Sequence, residues 1–150
     1  MVDRRTIKNA FKVTVSREFN FTLETVFGSW FDPEYLGDWL FGTPDGVDKV
    51  SQVDPRVGGE FRIGERRGEE MAIHVGTFHE IDNHKRIVFS YYFETTNDEL
   101  PTNVIADFYK TVHGCKVSIT HVMDEIYSEY EELTIKGWNM IFDGLEKTLN

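Results

Sequence analysis

The sequence predicts an α+β fold: a curved antiparallel sheet of about six or seven strands wrapped around one long C-terminal helix. Three observations carry this reading. Apolar residues alternate with polar ones along most of the stretch from Phe11 to Met123, the two-residue period of half-buried strands. That pattern breaks once, from Thr22 to Leu40, where apolar residues recur at helical spacing. From Ser128 to Leu149 the helical period returns and persists to the end of the chain. Strands followed by a helix place that helix on one face of the sheet. A straight rod cannot fill all the space under a curved sheet, so the order of elements also predicts a pocket.

Phe11, Val13 and Val15 alternate with Lys12, Thr14 and Ser16 and define the first strand. Thr22 is placed to cap a short helix in which Leu23, Val26, Phe27 and Trp30 share a face, and Asp32-Pro33 is expected to end it. Pro33 can open a second short helix through Leu36, Trp39 and Leu40.

From Val47 the pattern is a meander. Asp54-Pro55 and Gly58-Gly59 mark turns or a bulge around a strand carrying Phe61 and Ile63, and the charged stretch Gly64 to Glu70 reads as a hairpin tip. Met71, Ile73, Val75 and Thr77 alternate next, then Ile87, Phe89, Tyr91 and Phe93 after a turn at Asp82-Asn83. Asn97 to Thr102, containing Pro101, reads as a loop. Val104, Ala106 and Phe108 form a sixth strand, and Val117, Ile119, His121 and Met123 a seventh after His113-Gly114.

In the final helix, Ser128 and Glu131 have the spacing of a capping box. Ile135, Trp138, Phe142, Leu145 and Leu149 form its apolar stripe, widened by Leu133 and Ile141. Glutamates crowd its start and Lys147 its end, as the helix dipole favours.

A chain of 150 residues suits one domain, here 1–150 with a core from about Phe11 to Leu149. The single Cys115 excludes an internal disulfide. Together with the lack of a signal-peptide pattern at Met1 or an apolar run of membrane length, it predicts a cytoplasmic protein. Sixteen basic against twenty-six acidic residues give a net charge of −10, the wrong sign for nucleic acid or an anionic bilayer. His74, His79 and His84 are spaced by five, which sends strand neighbours to opposite faces, so no metal site is expected, and no cofactor. If odd-numbered residues of the meander face the helix, Phe78, Val88, Tyr92, Ile105, Tyr109 and Val122 lie outside, where a contiguous patch would support a homodimer.

The run Val26-Phe27-Gly28-Ser29-Trp30-Phe31-Asp32-Pro33-Glu34 with Leu36 and Trp39 resembles the domains related to the activator of the heat-shock protein 90 ATPase. So do Asp54 to Phe61, His74 to Ile81, Arg86 to Phe89, and Gly137-Trp138 with Leu145. The resemblance spans about Phe11 to Leu149 and implies the helix-grip fold of the START-related superfamily, also called SRPBCC. Members of that superfamily enclose a cavity for an apolar or amphipathic molecule, and they include lipid carriers, hormone receptors and aromatase/cyclases. The co-chaperones that name the family also use a separate N-terminal domain, whereas about ten residues precede the first strand here, so a chaperone partner is not the expectation.

The sequence therefore points to binding of a small apolar or amphipathic molecule between sheet and helix. Expected walls on the sheet are Phe61, Ile63, Ile73, Phe89, Tyr91, Phe108, Ile119 and His121. The helix would contribute Trp138, Phe142 and Leu145, and Leu36, Trp39 and Leu40 would form a lid, with core packing as the other reading of Trp39. A cyclase-like enzyme is the alternative, with His121 and Tyr91 as candidate catalytic groups and Thr77 and Arg17 as further inward polar residues, although a hydrogen-bonded interior histidine is the first expectation for His121. A co-chaperone or other interaction module is the second alternative. No nucleophile elbow, zinc-protease motif, Cys pair or Walker sequence is present.

Overall fold

The computed structural model describes residues 9–43, 45–94 and 102–150. Its elements are β1 (Ala10–Phe19), α1 (Leu23–Gly28), α2 (Pro33–Trp39), β2 (Val47–Val53), β3 (Glu60–Arg67), β4 (Glu70–Asp82), β5 (Arg86–Phe93), β6 (Thr102–Lys110), β7 (Cys115–Asp124), a 3-10 turn (Glu125–Tyr130) and α3 (Glu131–Leu149). The loop predicted around Pro101 lies outside the described residues, except for Thr102, which opens β6.

The seven strands form one antiparallel sheet in the order β1-β7-β6-β5-β4-β3-β2. Six of them meander, while β1 pairs with the last strand. The chain must therefore cross from one sheet edge to the other between β1 and β2, and α1 and α2 make that crossing beneath the sheet. Thr22 caps α1 through its hydroxyl, which accepts from the Thr25 amide at 3.2 Å. The helix ends at Gly28, earlier than expected, and Asp32 acts as a start: its carboxylate accepts from the Glu34 amide at 2.9 Å and caps α2.

One face of the sheet is covered. Val13 and Val15 of β1, Phe61 and Ile63 of β3, Ile87 and Phe89 of β5, and Val117 and Ile119 of β7 join Trp138, Ile141, Phe142 and Leu145 of α3 in one apolar core. Trp30, Leu36, Trp39 and Leu40 complete it from below. Burial of this apolar surface, about 25 cal/mol per Å², is the main force holding α3 to the sheet.

Two expectations about facing residues are corrected. The pairing of β4 with β5 slips between Phe78 and Glu80, so His79 is a bulge and the inward parity changes there. Upstream of it His74, Gly76 and Phe78 point inward, opposite Ile63, Phe61 and Phe89, while Ile73, Val75 and Thr77 point outward. Ile73 is buried but stands apart from the core cluster, and Phe78, expected outside, belongs to it. Nor is Gly64–Glu70 a hairpin tip: β3 runs to Arg67, with the turn left to Gly68 at φ +64°.

The long helix also starts later than its capping-box spacing implies. Asp124 caps the 3-10 turn by accepting from the Ile126 amide at 3.1 Å, and the Glu131 amide bonds the Ser128 carbonyl. Ser128 lies inside that tighter turn, so its hydroxyl caps nothing and α3 begins without a side-chain cap. The buried stripe starts at Trp138, whereas Leu133 is 63% exposed and Ile135 37%.

Candidate functional site

The predicted walls Phe61, Ile63, Phe89, Phe108, Ile119, Trp138, Phe142 and Leu145 meet on the inner face of the sheet, each buried in the same core. Ile73 does not join them, for the reason of parity given above. Leu36, Trp39 and Leu40, expected as a lid, are interior packing: Trp39 meets Trp30 edge-on at 4.9 Å between ring centres. Thr77 faces outward, while Arg17 faces inward along β1 and reaches α3. There it donates to the Asp143 carboxylate at 2.6 Å and the Asn139 carbonyl at 3.3 Å, with its guanidinium 5.4 Å from the Phe142 ring centre. Arg17 thus holds helix to sheet.

Polar groups gather at one end of this apolar interior. His74 from β4, Tyr91 from β5 and His121 from β7 all point inward. Ring centres are 5.5 Å apart for His74 and Tyr91, and 6.0 Å for Tyr91 and His121. The Trp138 indole donates its N–H to His121 Nδ1 at 2.9 Å. An indole nitrogen only donates, so His121 Nδ1 is the acceptor and the neutral ring carries its proton on Nε2. Burial pushes the His121 imidazole down to about 4. His74 falls to about 3, first through burial and then through the nearby Arg67 cation, against a small opposing pull from Glu65. Both rings are neutral near pH 7.

His74 Nδ1, like the indole nitrogens of Trp30 and Trp39, is buried and finds no hydrogen-bond partner among the described residues. A buried nitrogen in that state costs about 1–3 kcal/mol. The ring is held by stacking: Phe41 lies parallel to it at 4.1 Å and 9°, and Phe93 lies at 4.2 Å on a tilt. Phe41 also contacts Tyr91 at 4.8 Å and Trp138 at 6.1 Å, so its ring closes the polar end of the core. It does so from a left-handed backbone, φ +58°, which is rare for a bulky residue.

What holds Phe41 there is an ionic cluster around one buried carboxylate, its two cations partly open to water. Glu65 shares the inward parity of Phe61 and Ile63 and is 0% exposed. Its carboxylate accepts from the Lys49 ammonium, the Thr43 amide at 3.0 Å, the Thr43 hydroxyl at 2.6 Å and Arg67 Nε at 2.8 Å. Arg67 Nη2 donates onward to the Phe41 carbonyl at 2.8 Å. Burial alone would raise the Glu65 carboxyl, but the bonds from Lys49, Thr43 and Arg67 outweigh it and hold the group at about 2. A Cβ at Gly46 would overlap this carboxylate, so a larger residue there would have to displace the Glu65 side chain from its bonds.

Phe41, His74 and Glu65 went unrecognised in the sequence. Glu65 and His74 had a usable signal, since Phe61, Ile63 and Glu65 share a parity and Ile63 pairs with His74 once β3 extends to Arg67. His79 and His84 do not join His74. The first is the exposed bulge, bonded to Ser90 at 2.7 Å, and the second sits in the β4–β5 turn at φ +61° against Phe27. Cys115 is buried in the core, its thiol pushed up to about 11 chiefly by burial.

Several solved structures share this fold. A protein from Nitrosomonas europaea is 21% identical, with a TM-score of 0.77 over 92% of this chain and 93% of its own. The AHSA1-like protein from Aeromonas hydrophila is 22% identical, with a TM-score of 0.74 over 93% of this chain and 92% of its own. CalU16 from Micromonospora echinospora is 16% identical, with a TM-score of 0.70 over 94% of this chain and 75% of its own. At these identities the likeness is one of fold. No curated protein sequence matches the chain, and no described helix is long and apolar enough to cross a membrane. The sequence pattern of the family described as Activator of Hsp90 ATPase homolog 1-like protein matches residues 20–150, and the chain belongs to that family.

Proposed function

We propose that the protein binds a small, uncharged amphipathic molecule at the inner face of the sheet, its polar head against His74, Tyr91 and His121 and its apolar body among the aromatic side chains above α3. The observation that carries this is the unpartnered ring nitrogen of His74 beneath the Phe41 ring. A hydroxyl or carbonyl reaching His74 relieves the cost of that nitrogen, and moving Phe41 aside releases a backbone conformation worth about 1 kcal/mol or more of strain. The surroundings favour an uncharged head, because burial already keeps both imidazoles neutral.

The same two histidines favour binding over turnover. A general base works best with a pKa near the working pH, and groups held at about 3 and about 4 are weak bases near neutrality. The cyclase-like reading therefore has the residues but not their tuning.

The test is native mass spectrometry of gently purified protein, followed by titration with 1-naphthol while tryptophan emission is recorded. A discrete mass lost on denaturation, or saturable quenching weakened about tenfold by His74→Leu, is the expected result. Absence of both a bound mass and any naphthol response would refute the proposal.

A further inference from the structure

Phe41 is held between opposing forces. Its backbone sits at φ +58°, a conformation that a bulky side chain adopts only at a cost in free energy. Against that strain stand the stacking of its ring on His74 at 4.1 Å and two anchors, one on either side of Gly42. Before Gly42, the Phe41 carbonyl accepts from Arg67 at 2.8 Å. After it, the Thr43 amide and hydroxyl donate to Glu65 at 3.0 and 2.6 Å. Both anchors lead to one carboxylate, because Arg67 Nε also donates to Glu65 at 2.8 Å. Turning φ of Phe41 out of the left-handed region swings its carbonyl, so that motion gives up the Arg67 bond. Strain opposed by a few specific bonds is the makeup of a two-state element.

The other side of the same segment is open to solvent. A hollow of about 550 Å³ lies there, lined by Trp39, Gly42, Thr43 and Lys49 among others. Tyr35 and Met140 also line it, and both are exposed. The Phe41 ring turns the opposite way, toward His74, Tyr91 and Trp138. Residues 41–43 thus stand between the hollow and the polar end of the core. The anchors are also within reach of water, since the Lys49 and Arg67 side chains are 29% and 39% exposed although Glu65 is fully buried. Each cation can exchange its bond for water, which makes release less costly than breaking a wholly buried pair.

From this geometry we infer that Phe41 is the gate of the interior site and the Glu65 cluster its latch. Release of the Arg67 and Thr43 bonds lets the ring swing off His74 and connects the site to the hollow. The inference rests on the interior site being the one a ligand enters, but the motion itself is measurable without any ligand.

The experiment is diethyl pyrocarbonate labelling of the folded protein near neutral pH, with each histidine followed by peptide mass. The reagent acylates a neutral imidazole nitrogen, and Nδ1 of His74 is offered to it when Phe41 moves. Exposed His113 is the internal reference. His74 should react at least about tenfold more slowly than His113. Thr43→Val and Arg67→Lys leave the ring in place and loosen its anchors, and each should raise the His74 rate about threefold with His113 unchanged. Phe41→Ala, which removes the ring, should raise it about tenfold. Urea denaturation of each variant separates gate opening from global unfolding. A His74 rate in the parent equal to that of His113, or indifference to both anchor substitutions, would overturn the gate. Stopped-flow mixing with 1-naphthol tells the two readings apart. Association rates that rise in step with labelling support the gate. Labelling that follows the anchors while naphthol never binds keeps the gate and removes the ligand reading, whereas naphthol binding with labelling indifferent to the anchors removes the gate and leaves the site.

Discussion

Acidification from about pH 7 to about pH 5 should remove roughly 4 kcal/mol of folding stability, half of it through His74 and half through His121. In the unfolded chain both imidazoles have the ordinary value of 6.5, and in the folded protein they lie at about 3 and about 4. Below 6.5 the unfolded chain therefore binds protons that the folded protein excludes. Stability is full above that value and falls with pH, by about 1.4 kcal/mol per pH unit for each group, until the folded values are reached. At about pH 5 each histidine is some one and a half units into that window, which gives about 2 kcal/mol apiece. Glu65 does not contaminate the measurement, because its own contribution is complete above 4.5 and is lost only as pH falls toward about 2. Urea denaturation followed by tryptophan emission at the two pH values reads the difference. His74→Leu should halve it, and at neutral pH should cost little, since it removes the unpartnered nitrogen. A total loss below about 1 kcal/mol, or a His74→Leu variant with the full pH response, would refute the reasoning.

Two further substitutions test the corrected elements. Glu65→Gln keeps the shape but removes the charge facing Lys49 and Arg67, and should cost about 2–4 kcal/mol in denaturant midpoint measurements, short of the full buried-pair value because both cations can turn to water. Ser128→Ala should change stability by less than about 0.5 kcal/mol, whereas a true capping residue would cost about 1 kcal/mol, and thermal melts separate the two.

The strands were legible wherever a regular pleat carried the pattern through, as in Phe11, Val13 and Val15 or Val117, Ile119 and His121. Alternation counts residues, however, and a single inserted residue reverses its meaning. His79 does this in β4, and nothing local in Phe78-His79-Glu80 announces it, because the slip is a property of the pairing with β5. Ile73 and Phe78 were consequently placed on the wrong faces. Glu65 was missed for another reason, although its parity with Phe61 and Ile63 could be read. A carboxylate is buried only when its partners are assembled, and here they come from the distant Thr43 and Lys49 as well as the nearby Arg67. The aromatic walls of the interior needed only hydrophobicity and period, so most of them were found, while the ring that closes it, Phe41, depends on a backbone angle that no apolar pattern encodes.

The pairing of the first strand with the last gives the molecule a particular order of assembly. Ser16 and Ser118 touch although 102 residues separate them. During synthesis β1 leaves the ribosome early and waits for β7 with its hydrogen-bonding edge unoccupied. The meander from β2 to β6 can zip up locally in the meantime, but Arg17 reaches α3 only once β1 has joined the sheet. Closing a loop of that span costs more chain entropy than the local pairings of the meander, so β1–β7 pairing is expected to form after them.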